Sequence, residues 1–122
     1  MNLIAAWSAI LFGLLSGLVM GLFFHRENWL GGYSSFKRRM YRLGHISFFG
    51  LGTLNLLFYL TAPLLSHGFA LTLASWTFIV GAASMPICCI LMAHFSKARL
   101  LFAIPVVNLL IGGTITVVEV IK

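Results

Sequence analysis

The stretch Leu43 to Ser96, LGHISFFGLGTLNLLFYLTAPLLSHGFALTLASWTFIVGAASMPICCILMAHFS, decides the fold, because it contains no Asp, Glu, Lys or Arg. A helix crosses a bilayer with about 20 apolar residues, so this run holds two spans. They part at Pro63, Ser66, His67 and Gly68, residue types that favour a turn over continued helix. Outward from it, Leu3 to Phe24 and Leu100 to Val118 are also free of charge, and each is long enough for one further span. Four membrane helices are expected, at about residues 3–24, 43–62, 69–94 and 100–121.

Composition agrees. The chain has 122 residues, of which 61% are hydrophobic and 8% charged, and its mean hydropathy is +1.05. Soluble domains carry roughly a quarter charged residues. The expected fold class is an all-α integral membrane protein, residues 1–122 forming one four-span domain with no room for a soluble unit. Short connections make it an up-down bundle in which consecutive helices are antiparallel neighbours. The first span has no basic segment before it and is expected to be retained, because a cleaved secretory signal carries its positive charge ahead of the apolar core.

The net charge of +6 is informative through its placement. Arg26, Lys37, Arg38, Arg39 and Arg42 separate spans one and two, and Lys97 and Arg99 separate spans three and four. Four spans put those two loops on one side. Every basic residue except Lys122 falls there, and cytoplasmic loops are the ones enriched in Lys and Arg. Both termini are therefore expected on the outer, non-cytoplasmic side of the cell's inner (cytoplasmic) membrane. Topology and anionic lipid headgroups account for the basic loop, so membrane lipid is the expected partner and nucleic acid is not.

Small residues mark helix contacts. Ala5, Ala9, Gly13, Gly17 and Gly21 recur every four residues in span one, with His25 the next step. Small residues at this spacing let helix backbones approach in lipid, so Gly13, Gly17 and Gly21 are the expected contact. The row turns about 40° per step and winds around the helix. In span three, Ala70, Ala74, Thr77, Gly81, Ser84 and Cys88 alternate four and three apart and form a straighter seam. In span four Asn108, Gly112, Thr116 and Glu119 share one side, which should face protein because polar groups facing lipid are costly. Pro86 is expected to kink span three, and Pro105 either kinks span four or marks a late start. Cys88 and Cys89 are adjacent and read as packing residues.

The chemical signal is a set of histidines. His25 ends span one, His45 sits a turn inside span two and His94 ends span three, so all three lie near the loop-side boundary. Neutral imidazole is the usual ligand for haem iron, copper and zinc. A bis-histidine haem b would take His25 and His45 as axial ligands, with His94 as the substitute. Gly21 and Gly52 would admit the flat ring, and Arg38, Arg39 and Arg42 would neutralise propionates or meet lipid headgroups. Other chemistry is thin. The chain has no Asp, and Glu27 and Glu119 lie on opposite sides by this topology, so a carboxylate-pair mechanism is not expected. Phosphate-binding glycine loops are absent as well.

Two functions follow. The first is a small subunit of a larger membrane complex, respiratory or electron-transferring, with the histidine cluster holding haem b or a metal. The second is a cofactor-free scaffold or assembly protein that docks partner helices through its Gly and Ala seams. Neither makes the chain an enzyme on its own.

Overall fold

Each apolar run folds as a helix because backbone in lipid must satisfy its hydrogen bonds internally. In the computed structural model, which describes every residue from Met1 to Lys122, α1 spans Asn2–Phe23, α2 Phe36–Thr61, α3 Phe69–His94 and α4 Ala103–Ile121. All four segments are long and apolar enough to cross a membrane. The chain is an all-α, multi-pass membrane protein with no strand. Short 3-10 turns occupy Trp29–Gly31, Ala62–Leu64 and Ser96–Phe102.

The helix ends have local causes. Ser35 caps α2, its Oγ accepting the Arg38 backbone N–H at 3.2 Å, and α2 then runs unbroken through the basic segment into the membrane. The α-helix of the last span starts at Ala103, later than residue 100, because Ser96–Phe102 winds as 3-10 helix. Pro105 therefore falls in the first turn of α4, where a missing N–H costs no helical bond. Pro86 lies within α3, which remains one helix from Phe69 to His94.

α2 and α3 form the central pair, with α1 packed on α2 and α4 packed on α3. α3 is the most buried of the four, with 44% of its apolar window buried against 11% for the last span. The bundle is thus closer to a curved row than to a closed square. Phe58, Ala74 and Phe78 form the one compact apolar cluster, with Leu54 and Leu109 against it. Most large apolar side chains, such as Leu11, Leu18, Leu60 and Val117, point outward, as a lipid-facing surface requires.

The contact face of α1 differs from the expected row. Its buried positions are Asn2, Ala6, Ala9, Gly13 and Met20, with Ser16 half-buried between them; the steps alternate four and three. The closest approach to α2 is at Gly52, where an added Cβ would lie 3.1 Å from the Ala6 carbonyl oxygen and 3.3 Å from Ala9 Cβ. Gly13 makes room for the Phe49 ring. Gly21 takes no part, since an added Cβ there would meet nothing within 4 Å. The four-residue row has turned about 80° between Gly13 and Gly21, which carries Gly21 out of the seam.

On α3, Gly81 receives Leu109 of α4, and Gly112 of α4 lies against Thr77 and Phe78. Cys89 and Pro86 pack instead toward Gly44 of α2. Cys88 donates its S–H to the Leu101 carbonyl at 3.4 Å, and both thiols are free and buried.

Polar side chains fasten the ends of three helices together. Asn55 is fully buried. Its Oδ1 accepts from Asn2 Nδ2 at 2.9 Å, and its Nδ2 donates to the Phe78 carbonyl at 3.2 Å and to Leu51 of its own helix at 3.0 Å. Ser75 Oγ in turn donates to Asn2 Oδ1, and Asn2 Nδ2 also reaches the Ser75 carbonyl. The start of α1, the end of α2 and the start of α3 meet in this network, which fixes the antiparallel order. By contrast Asn108 and Thr116 bond only to carbonyls one turn back in α4.

Candidate functional site

The candidate site lies at the opposite end, where the loop from Phe24 to Ser35 folds back over the start of α2. Its backbone reverses through three consecutive positive φ values, at Leu30 (55°), Gly31 (85°) and Gly32 (94°). A non-glycine residue such as Leu30 adopts this region only when its surroundings impose it. Here Ser35 does so. Its Oγ donates to the Leu30 carbonyl at 2.6 Å while accepting from the Arg38 N–H. One hydroxyl thus caps α2 and pins the loop.

The folded loop encloses Arg38. Its guanidinium carbon lies 5.8 Å from the Phe24 ring centroid, 5.5 Å from Trp29 and 5.3 Å from Tyr33. The residue is only 4% exposed. Each ring presents a negative face to the cation, an attraction of about 2 kcal/mol when desolvated. Arg42, one turn along α2, sits on Tyr33 at 4.4 Å. Arg39 points away and is exposed. The three arginines that the sequence groups together therefore occupy three different environments.

The histidines are engaged separately. His45 projects from α2 against α1, its ring edge-on to Phe49 at 5.4 Å, with Nδ1 2.9 Å from Ser16 Oγ. Ser16 Oγ also lies 2.9 Å from the Gly13 carbonyl oxygen, so its one proton serves either that carbonyl or the imidazole. Gly17 provides the space for the imidazole, since an added Cβ would lie 2.9 Å from its Cε1.

His94 ends α3 with Nε2 3.0 Å from the Tyr41 hydroxyl. Tyr41 stands edge-on to both His94 and Trp29, and Trp29 stacks on Phe23 at 5.6 Å. An aromatic string thereby ties the ends of α1 and α3 to α2. His25 lies exposed in the turn after α1. No three His, Cys, Asp or Glu side chains are grouped as ligands for one metal ion. Gly21 and Gly52 do not flank a shared gap: Gly21 faces open space, and Gly52 is closed by the α1 backbone.

A second feature is apolar. A cleft of about 440 Å³ opens where α1 diverges from α3, lined by Ala5, Ala9, Phe12, Phe48, Ala82 and Ala83 among others. It contains no titratable group, so it can hold a hydrocarbon chain or a helix side but supports no proton chemistry.

Trp29 and Tyr33 are residue types that suit a membrane interface, but the sequence does not show their common target. The available signal is that aromatic residues precede a basic helix start within one short loop; the missing information is the fold-back at Leu30 to Gly32. Comparison with protein-family models, with curated proteins and with solved structures found no match, so the site is interpreted from its own geometry.

Proposed function

We propose that this chain is a small scaffold or assembly subunit of the cytoplasmic membrane that docks a helix of a partner membrane subunit, with its basic loops inside and both termini outside. The observation that carries this reading is the apolar cleft between α1 and α3. Alanines on both walls let a backbone approach, and no side chain of the chain itself fills it. Small-residue surfaces of this kind are how helices associate where there is no hydrophobic driving force between them. The positive-inside distribution of Lys and Arg supports the orientation.

A photo-crosslinking residue placed at Ala83, on the cleft wall, tests the docking. In cells it should yield one discrete protein adduct, and the same residue at Leu110, on the lipid face of α4, should yield none. Lipid adducts alone at Ala83 would overturn the reading.

The competing proposal is an electron-transfer subunit with haem b, and the observation favouring it is the bond between Ser16 and His45 Nδ1. A ligating histidine is held by a hydrogen bond at its other ring nitrogen. Against it, His45 is packed onto Gly17, and the structure holds His94 on Tyr41 and His25 in an exposed turn. The dithionite-reduced minus oxidised spectrum of the purified protein discriminates the two. Haem bands that His45→Ala abolishes, with the helical content intact, would establish the second proposal at the expense of the first.

A further inference from the structure

We propose that Arg38 and Arg42, set against Tyr33, bind one phosphate-class oxyanion at the loop-side membrane surface, carried there by a lipid headgroup. Arg38 carries an unmet donor. Arg38 Nε is the only buried side-chain nitrogen or oxygen in the chain without a hydrogen-bond partner. A guanidinium carries five N–H donors in its plane, and the aromatic faces around it attract the charge without accepting those bonds. Leaving such a donor unserved is costly.

The site also lacks a counterion. The chain has only two acidic side chains. Glu119 is at the far end of the bundle, in the sole ion pair, with Lys122 at 2.6 Å. Glu27 pairs with nothing and is exposed. Arg38 and Arg42 therefore bring two cations to one ring, Tyr33, with no internal counterion. A single tetrahedral oxyanion relieves both, because guanidinium forks match phosphate oxygens in spacing and geometry.

Depth selects the source. α2 has 26 residues, which at 1.5 Å each is about 39 Å, longer than the roughly 30 Å hydrocarbon layer. Its first two turns, which carry Arg38 and Arg42, then stand among the headgroups. The strained loop at Leu30 supports a built site, since it holds Trp29 and Tyr33 around the cation before any ligand arrives. The positive end of the α2 dipole adds to the attraction.

Trp29 reports on the site. In the full chain carrying Trp7→Phe and Trp76→Phe, Trp29 is the single tryptophan. In maltoside micelles, which contain no phosphate, short-chain phosphatidylglycerol should change its emission saturably. Arg42→Gln should weaken that binding by about tenfold or more, the worth of a charged hydrogen bond. Arg39→Gln should leave it within about twofold. Arg38→Gln should weaken it as well, and Arg38→Lys, which keeps the charge and loses the fork, should do the same if the glutamine variant misfolds.

Inorganic phosphate tested alone separates the sources. Weaker binding than the lipid identifies the headgroup as the ligand, whereas equal or tighter binding keeps the oxyanion site but overturns the lipid assignment. No saturable response to either probe in protein of intact helical content overturns the proposal. So does a response that Arg39→Gln lowers as much as Arg42→Gln, which would mean diffuse surface charge.

Discussion

Removing the Asn55 side chain should loosen the three-helix junction by a predictable amount. Asn55 makes two bonds to other helices, with Asn2 Nδ2 and with the Phe78 carbonyl. Its third bond stays within α2. Interhelical hydrogen bonds in membranes contribute about 0.6 kcal/mol each on average and about 1.7 at most. Asn55→Leu, which keeps the branching and the number of heavy atoms, should therefore cost about 1–3 kcal/mol. The low value applies if Asn2 compensates through Ser75, to which it is already bonded. In the double-mutant cycle of Asn2→Ala with Asn55→Ala, only the direct bond should appear as coupling, about 0.6–1.7 kcal/mol. The assay is reversible SDS-induced unfolding in mixed micelles, followed by far-UV circular dichroism. Asn108→Leu is the control, because its amide bonds only to Ile104 of its own helix; it should change stability by no more than about 0.5 kcal/mol. Coupling below about 0.3 kcal/mol, or a more stable Asn55→Leu, would refute the claim that this network fastens the helices.

The glycines make a graded series in the same assay. Gly52→Ala should destabilise by about 1–3 kcal/mol because its Cβ meets the Ala6 backbone, which cannot swing aside. Gly21→Ala, with open space around it, should be neutral or stabilising by up to about 1 kcal/mol through helix propensity. Equal losses at both positions would restore the four-residue row as the contact. Gly112→Leu should detach α4 from Thr77 and Phe78 while α1 to α3 stay together, which disulfide trapping between engineered pairs would register. A Tyr33→Cys protein should react with a membrane-impermeant maleimide from the cytoplasmic side only. Labelling from the outer side would reverse the proposed orientation.

Much of the fold is legible because lipid simplifies the rules. Charge-free runs of the required length must be helices, so α3 emerges at Phe69–His94 as expected. The end of the 3-10 segment at Phe102 is not legible, since an apolar sequence serves either winding. The arginines show a further limit. Arg38, Arg39 and Arg42 are equivalent as letters, and only the loop that folds over them buries one, shields another and leaves the third in solvent. The histidines converge in depth along their helices, but depth does not specify direction around a helix. Ser16 and Tyr41 take His45 and His94 separately.

By itself the sequence determined four membrane helices, their order, their approximate ends and the gathering of the basic loops at one end of the bundle. These follow from length, hydropathy and charge, which act residue by residue. The tertiary structure alone decided which small residues touch, that Asn55 is a hub and that Arg38 is enclosed by three rings. Those depend on the rotation and offset of one helix against another, set by the sum of many side-chain contacts. A row of glycines in the first span records that a helix can come close; the packing decides that it does so at Gly13 and Gly17 and has left by Gly21.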